Sequence, residues 1–193
     1  GHLRMEAISV FDVFKIGVGP SSSHTIGPWR AALRFLDRCD EAAPRAEIDR
    51  VEVDLFGSLA KTGKGHGTDI AAMLGLMGED PETCDTSAIR PRIKHVRSSR
   101  SLTLPNGPTL SFDPKRDLRF HFDRTLPFHP NALSFTATSR DGRTIVETYY
   151  SIGGGFIVQE GETPSGARAV RLPMPIDSAA DLMRHCSEHG LEI

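Results

Sequence analysis

Cysteine is scarce in this sequence, and the few cysteines are widely separated. The 193 residues contain only Cys39, Cys84 and Cys186. Their spacing fits neither the disulfide framework of a small secreted protein nor a compact thiolate motif that holds a metal ion or an iron–sulfur cluster. We therefore expect structural cysteines, no metal ligands in this chain, and a reducing compartment, which we take to be the cytoplasm.

The sequence also has no large excess of positive or negative charge. The chain has 23 lysines and arginines against 25 aspartates and glutamates. Because nucleic-acid-binding domains show a basic excess, this balance predicts no nucleic-acid partner. No apolar run approaches the roughly 20 residues that span a bilayer, and no secretory hydrophobic region is visible, so we expect no membrane partner. The length favours a single domain, taken as residues 6–193, with residues 1–4 as a cloning remnant.

The spacing of apolar residues predicts an α+β fold. Residues 51–56 alternate apolar and charged side chains, as a half-buried strand does, and Asp141-Gly142 is a typical hairpin turn. The predicted strands are 51–56, 102–104, 109–112, 132–139, 144–150 and 156–159. The predicted helices are 10–15, 28–40, 69–77 and 177–189. Helices near both ends of a strand-rich middle indicate the α+β class.

The stretch from residue 80 to residue 130 is rich in proline and arginine, and we predict weak strands but no clear helix there. It contains a run of basic residues, which we expect to lie on a solvent-exposed face of a loop. An anion-binding or domain-docking surface is the alternative. The basic residues are Arg90, Arg92, Lys94, His95, Arg97 and Arg100.

A group of hydroxyl side chains and one imidazole precedes the predicted helix 28–40. The segment 19–25 reads Gly-Pro-Ser-Ser-Ser-His-Thr, and a Gly-Pro turn before an apolar-periodic run indicates the start of a helix. Unpaired backbone N–H groups at such a start, flanked by hydroxyl donors, suit a carboxylate or a phosphate. The alternative is that these residues only cap the helix.

A glycine-rich segment, residues 57–69, follows the predicted strand 51–56 and is interpreted as a loop. Its glycines allow close approach of the backbone to a ligand. A nucleotide-binding loop is excluded, because Gly65 follows Lys64 where a Walker motif needs Ser or Thr, and Thr68 stands where a dinucleotide motif needs a third glycine. A flexible loop with Thr68 or Asp69 as helix cap is the alternative.

Two more motifs lie in the second half of the chain. His129 and Asn131 stand just before the predicted strand 132–139, where a simple hydrogen-bonded turn also explains them. Three consecutive glycines, residues 153–155, indicate either a bulge with close backbone approach to a partner domain or a turn at the end of a strand.

Taken together, these motifs resemble the beta domain of the bacterial iron–sulfur L-serine dehydratases, also called L-serine deaminases or L-serine ammonia-lyases. The resemblance covers about residues 8–190. It implies a mixed, largely antiparallel sheet with packed helices, similar to the allosteric substrate-binding domain of phosphoglycerate dehydrogenase. The motifs that carry it are SVFDVFKIGVGPSSSHT (residues 9–25), GKGHGTD (63–69), HPN (129–131) and YSIGGGF (150–156).

The resemblance also implies a reaction and a set of site residues. It implies conversion of L-serine to pyruvate and ammonia, with a [4Fe–4S] cluster whose ligands lie in an alpha domain or subunit rather than in this chain. L-Serine, that alpha partner and a second copy in a homodimer are the expected partners. The implied catalytic residues are His24, His66, Thr68 and Asp69. The implied substrate-binding residues are Ser21, Ser22, Ser23, Thr25, His129 and Asn131.

If these residues share one site, His24, His66, Thr68 and Asn131 should face one cleft. Two other functions stay open at this point. The chain could be a regulatory serine-binding or dimerisation module without catalytic residues, although three histidines in polar motifs argue against that function. A stand-alone Ser-His-Asp hydrolase is the other alternative, but the sequence has no Gly-x-Ser-x-Gly elbow.

Overall fold

The computed structural model describes residues 23–63 and 67–161. Five helices and seven strands are formed by these residues. The helices are α1 (Ile26–Ala42), α2 (Gly57–Gly63), α3 (Thr68–Leu76), α4 (Thr86–Ser99) and α5 (Pro114–Asp117), with a short 3₁₀ turn at Arg45–Glu47. The strands are β1 (Ile48–Phe56), β2 (Ser101–Thr103), β3 (Thr109–Ser111), β4 (Leu118–His121), β5 (Asn131–Ser139), β6 (Thr144–Gly153) and β7 (Phe156–Gln159).

Five of the strands form one mixed sheet in the order β4-β1-β5-β6-β7. The β1–β4 pair is parallel, whereas the β1–β5, β5–β6 and β6–β7 pairs are antiparallel. Strands β2 and β3 form a separate hairpin. The predicted α+β class with a largely antiparallel sheet and packed helices is therefore confirmed, while the likeness to the phosphoglycerate dehydrogenase domain stays a prediction.

The main core lies between helix α1 and strands β5 to β7. The side chains of Trp29, Phe35 and Leu36 point from α1 into this core and are almost fully buried. Phe35 stacks on Phe135 of β5 with ring centroids 5.1 Å apart, and Phe135 meets Tyr149 of β6 edge to face. Because α3 packs along α1, this core fixes the relative position of the two helices.

The helix and strands predicted at residues 28–40, 51–56, 102–104, 109–112, 132–139, 144–150 and 156–159 are confirmed, each within a few residues at its ends. The helix predicted at 69–77 is confirmed and begins at Thr68. The predicted helices 10–15 and 177–189, and Cys186, lie outside the described residues. No helix in the described ranges is both long and apolar enough to cross a membrane.

The prediction of no clear helix between residues 80 and 130 is wrong. Helix α4 occupies Thr86–Ser99 and carries Pro91 inside it. Asp85 caps it by accepting a hydrogen bond from the Ser87 backbone N–H at 3.0 Å. The basic run therefore lies on a helix rather than on a loop face. The buried stripe Ile89, Ile93 and Val96 has helical spacing and was the signal that the prolines obscured.

The interpretation of residues 57–69 as a loop is also wrong for its first half. Helix α2 occupies Gly57–Gly63, and Leu59 and Ala60 are fully buried on it. Glycines lower helix propensity, but here the burial of two apolar side chains outweighs that preference. Strand β4 and the short helix α5 were not predicted either.

Candidate functional site

The first motif forms a tight turn at the start of α1. Ser23 and Thr25 are largely buried, with 9% and 3% of their surface exposed, and Ser23 Oγ lies 3.1 Å from His24 Nδ1. Thr25 occupies the N-cap position, yet within the described chain its side chain makes no capping hydrogen bond. The Thr25 hydroxyl therefore does not cap helix α1. Ser21 and Ser22 lie outside the described residues.

The second motif brings the start of α3 to the same place. The Thr68 hydroxyl donates a hydrogen bond of 2.5 Å to the His24 carbonyl oxygen, and Thr68 is fully buried. A Cβ atom on Gly63 would stand 2.9 Å from Thr68 Cβ, so the end of α2 packs directly on this threonine. The residue before Thr68 is Gly67, with φ of +89° and no side chain to cap the helix. His66 lies outside the described residues.

The starts of two helices, α1 and α3, therefore meet beside His24. The first N–H groups of a helix have no intrahelical acceptor, and the positive end of the helix dipole lies there. Two such ends together, with the Ser23 and Thr25 hydroxyls next to them, form an environment suited to an anion of carboxylate size.

Asp69 stands in the first turn of α3, but its carboxylate faces helix α4. Its Oδ2 atom lies 3.5 Å from Arg97 Nη2, and the aspartate side chain is 21% exposed. An acidic residue in the first turn of a helix is stabilised by the helix dipole. This contact links α3 to the basic residues of α4.

The third motif lies at the opposite end of helix α2. His129 is buried, and its Nδ1 atom accepts a hydrogen bond of 3.0 Å from the Asn131 backbone N–H. The Ser58 N–H, at the start of α2, donates to the Pro130 carbonyl oxygen at 2.9 Å. A Cβ atom on Gly57 would come within 2.3 Å of that oxygen, so only glycine fits there.

Helix α2 thus joins two groups of predicted site residues. His24 and Thr68 lie at its end, and His129 and Asn131 lie at its beginning. A seven-residue helix is about 10 Å long. The two groups are therefore separated by about the length of α2. That they face a single cleft stays a prediction.

The fourth motif forms the turn between β6 and β7 and packs on the first turn of α1. Its three glycines have φ values of +102°, +63° and +81°, so the interpretation as a turn is correct. Arg30 Nη1 donates a hydrogen bond of 3.1 Å to the Gly155 carbonyl oxygen. A Cβ atom on Gly155 would stand 2.9 Å from Ile26 Cγ2, which means that close backbone approach to α1 also occurs here.

A charged group that the sequence did not single out lies where the parallel strands β1 and β4 end. His121 Nε2 is 2.6 Å from Asp54 Oδ1, and Arg119 binds both oxygens of the same carboxylate at 2.7 and 2.9 Å. Burial alone would raise the pKa of Asp54, but hydrogen bonds from Arg119 and His121 outweigh it and lower that pKa. The ring of Phe56 stacks on His121. Since β4 was not predicted, nothing in the sequence placed these residues together.

The described cysteines do not fit an iron–sulfur centre. Cys39 is fully buried in α1, and burial raises the pKa of its thiol to about 12. Burial also raises the pKa of Cys84. An iron–sulfur cluster needs several cysteine thiolates around it, whereas Cys39 is packed among apolar side chains of the core. Within residues 23–63 and 67–161, no three His, Cys, Asp or Glu side chains form a group that could hold a metal ion.

A cavity of about 650 Å³ lies elsewhere, between α4 and the β2–β3 hairpin. Arg92 and His95 of the basic run line it together with buried Val96 and Leu102. Arg92 pairs with Glu79. None of the residues lining this cavity belongs to the starts of α1 and α3, so the cavity is separate from the group around His24.

The family model and the curated relatives that match this chain all carry the name serine dehydratase. A sequence model described as "Serine dehydratase beta chain" matches residues 9–162. "L-serine dehydratase 2" of Escherichia coli (strain K12) is 46% identical over 190 residues, which cover 96% of this chain and 41% of that protein. "L-serine dehydratase" of Haemophilus influenzae is 41% identical over 188 residues, covering 95% of this chain and 41% of the relative.

The enzyme named "L-serine dehydratase" in Streptomyces coelicolor is 40% identical over 192 residues, covering 97% of this chain and 42% of its own length. The present chain therefore spans about two fifths of the length of the curated relatives it matches. The range matched by the family model, residues 9–162, contains all the motifs described above.

Proposed function

Because the chain belongs to the serine dehydratase beta-chain family, we propose that it is the part of an L-serine dehydratase that binds the substrate carboxylate where α1 and α3 begin. The observation that carries this proposal is the hydrogen bond from Thr68 to the His24 carbonyl oxygen. It holds two helix starts together, and both starts offer backbone N–H groups to an anion.

A carboxylate bound there takes part in the chemistry as well as in recognition. Dehydration of L-serine removes the α-proton and expels hydroxide. As the α-proton leaves, negative charge spreads onto the carboxylate oxygens, and N–H and O–H donors already aimed at those oxygens stabilise it. The Ser23 and Thr25 hydroxyls are the described donors for this role, and Ser21 and Ser22 are the further candidates in the same motif.

His24 is a candidate for moving a proton at this site. An imidazole titrates near neutral pH and can accept or donate a proton during the reaction. Ser23 Oγ lies at its Nδ1 atom. In the tautomer in which Nδ1–H donates to that oxygen, the ring is oriented and the Ser23 proton remains for the carboxylate. His66, in the same motif as Thr68, is the second candidate, and Asp69, His129 and Asn131 are proposed to position the groups around them.

The remaining components belong to the complete enzyme in this proposal. The [4Fe–4S] cluster that the family resemblance implies is assigned to an alpha domain or subunit, because Cys39 and Cys84 do not suit it. The alpha partner, a homodimeric assembly and a cytoplasmic location are proposed on the same basis. Dehydration would give an enamine, 2-aminoacrylate, which takes up a proton at Cβ to become the imine. The imine would then hydrolyse to pyruvate and ammonia.

Replacing Thr68 by valine tests the carboxylate site. Valine keeps the shape of threonine but cannot donate to the His24 carbonyl oxygen, so the two helix starts lose their link. A lost hydrogen bond of about 1.4 kcal/mol corresponds to roughly a tenfold effect. We therefore expect the KM for L-serine of the complete enzyme to rise about tenfold, with a smaller change in kcat.

Thr62→Val is the matched control for that measurement. Thr62 also donates to a carbonyl oxygen, that of Ser58 at 2.6 Å, but it is exposed on α2. Its replacement should leave the KM unchanged. A Thr68→Val enzyme that melts earlier yet keeps its KM would make Thr68 a purely structural link. If only the cooperativity of serine activation changed, the regulatory-module function would be favoured instead.

A further inference from the structure

Ser151, in strand β6, carries a hydroxyl for which the fold gives no structural reason. The residue is fully buried, and its Oγ atom has no hydrogen-bond partner among the described residues. Leaving a buried hydroxyl unpaired destabilises the folded chain, and an alanine would fit the same space. A polar group kept at such a cost calls for a functional explanation.

The position of this hydroxyl supplies one. A Cβ atom on Gly27 would lie only 1.8 Å from Ser151 Oγ and 2.8 Å from Ser151 Cβ. The hydroxyl is therefore pressed against the backbone of the first turn of α1. That turn contains N–H groups with no intrahelical acceptor, and it follows directly on the Ser23–Thr25 segment.

The surrounding strand and turn hold α1 firmly at this point. Arg30 is bonded to the Gly155 carbonyl oxygen at 3.1 Å, and Arg30 Nη2 lies 3.5 Å from Glu82 Oε1. Ser151 lies in the strand that leads into the same glycine turn. Both contacts hold α1 at Arg30, after Gly27 in the chain. A small displacement of the preceding first turn would bring its backbone within reach of the Ser151 hydroxyl.

We propose that Ser151 is a positioning residue of the carboxylate site, whose hydroxyl hydrogen-bonds to the first turn of α1 when the carboxylate of L-serine is bound. The hydroxyl then stabilises the occupied arrangement of the Ser23–Thr25 segment and not the folded chain itself. This inference rests on the proposed function, because it names a supporting residue of that same site.

The test compares Ser151→Ala with Ser134→Ala in the complete enzyme. Ser134 is a serine of the neighbouring strand β5 whose hydroxyl pairs with that of Thr148 at 2.8 Å. For Ser151→Ala we expect kcat/KM for L-serine to fall about tenfold, mainly through KM, while the melting temperature stays equal or rises. For Ser134→Ala we expect the reverse, a melting temperature lower by about 2–4 °C and an unchanged kcat/KM.

The results distinguish failure of the proposed role of Ser151 from failure of the carboxylate site itself. If the wild-type enzyme turns over L-serine and Ser151→Ala keeps its kcat/KM within twofold, the role of Ser151 is overturned while the carboxylate site stands. If Ser151→Ala loses stability and activity together, Ser151 is a packing residue and the inference fails. If the wild-type enzyme does not act on L-serine, the proposed function fails and the inference fails with it.

Discussion

Replacing His24 by alanine is expected to lower kcat for L-serine by about 10²–10⁴-fold in the complete enzyme, the usual loss when a general acid or base is removed. The reason is its position. His24 lies between the starts of α1 and α3, its ring is oriented by Ser23, and its carbonyl oxygen is held by Thr68. The measurement is steady-state pyruvate production, with the melting temperature recorded in parallel.

His95→Ala is the matched control, because His95 is an exposed histidine of α4 that lines the separate cavity. It should leave turnover unchanged. His66→Ala identifies the proton-transfer group, since the histidine that carries the proton should show the larger loss in kcat. A His24→Ala enzyme with kcat within threefold of wild type would remove His24 from the chemistry and leave it as a structural turn residue.

The second large effect concerns stability. Gly57→Ala is expected to destabilise the protein by about 3 kcal/mol, because the left-handed backbone costs roughly 1–2 kcal/mol for a non-glycine residue and overpacking adds about 1–3 kcal/mol. Gly57 has φ of +55°, and a Cβ atom there would lie 2.3 Å from the Pro130 carbonyl oxygen, which is backbone and cannot rotate away. Denaturant unfolding of both proteins measures the difference.

Gly142→Ala separates the two contributions. Gly142 has φ of +86° in the β5–β6 turn, but a Cβ atom there would meet nothing within 4 Å. Its replacement should therefore cost about 1 kcal/mol, from backbone strain alone. Equal losses for the two variants would mean that the close contact between the start of α2 and the His-Pro-Asn motif is not maintained in solution.

The parts of the fold that sequence predicts well are those with one dominant periodicity. Strand β5 and helix α1 carry clean apolar patterns, and both were placed within a few residues. Helix α4 was missed because Pro91 breaks the local preference, although a proline inside a helix is tolerated when three apolar side chains are buried on one face. Helix α2 was missed because its glycines resemble a loop.

The candidate site likewise has contacts that could be predicted from the sequence and contacts that could not. The family resemblance implied that Thr68 and His24 belong to one site, and the structure joins these two residues by a hydrogen bond. The Asp54–His121 pair could not be inferred, because it depends on the parallel pairing of β1 with β4, two strands separated by the whole middle of the chain. The contact between Gly27 and Ser151 is equally invisible in sequence, since it results from packing of a helix on a sheet.

Hydrogen–deuterium exchange of the complete enzyme can detect a carboxylate bound where α1 and α3 begin. The enzyme is compared with no ligand, with L-serine, and with ethanolamine, which is L-serine without its carboxylate. Carboxylate binding at these helix starts predicts that L-serine slows exchange of the backbone amides of residues 26, 27 and 68–70, and that ethanolamine does not. Pro28 has no N–H, and the N–H groups of Trp29 and Ala71 already donate to the carbonyl oxygens of Thr25 and Gly67. Equal protection by both compounds, or protection confined to the cavity between α4 and the β2–β3 hairpin, would contradict carboxylate binding at the helix starts.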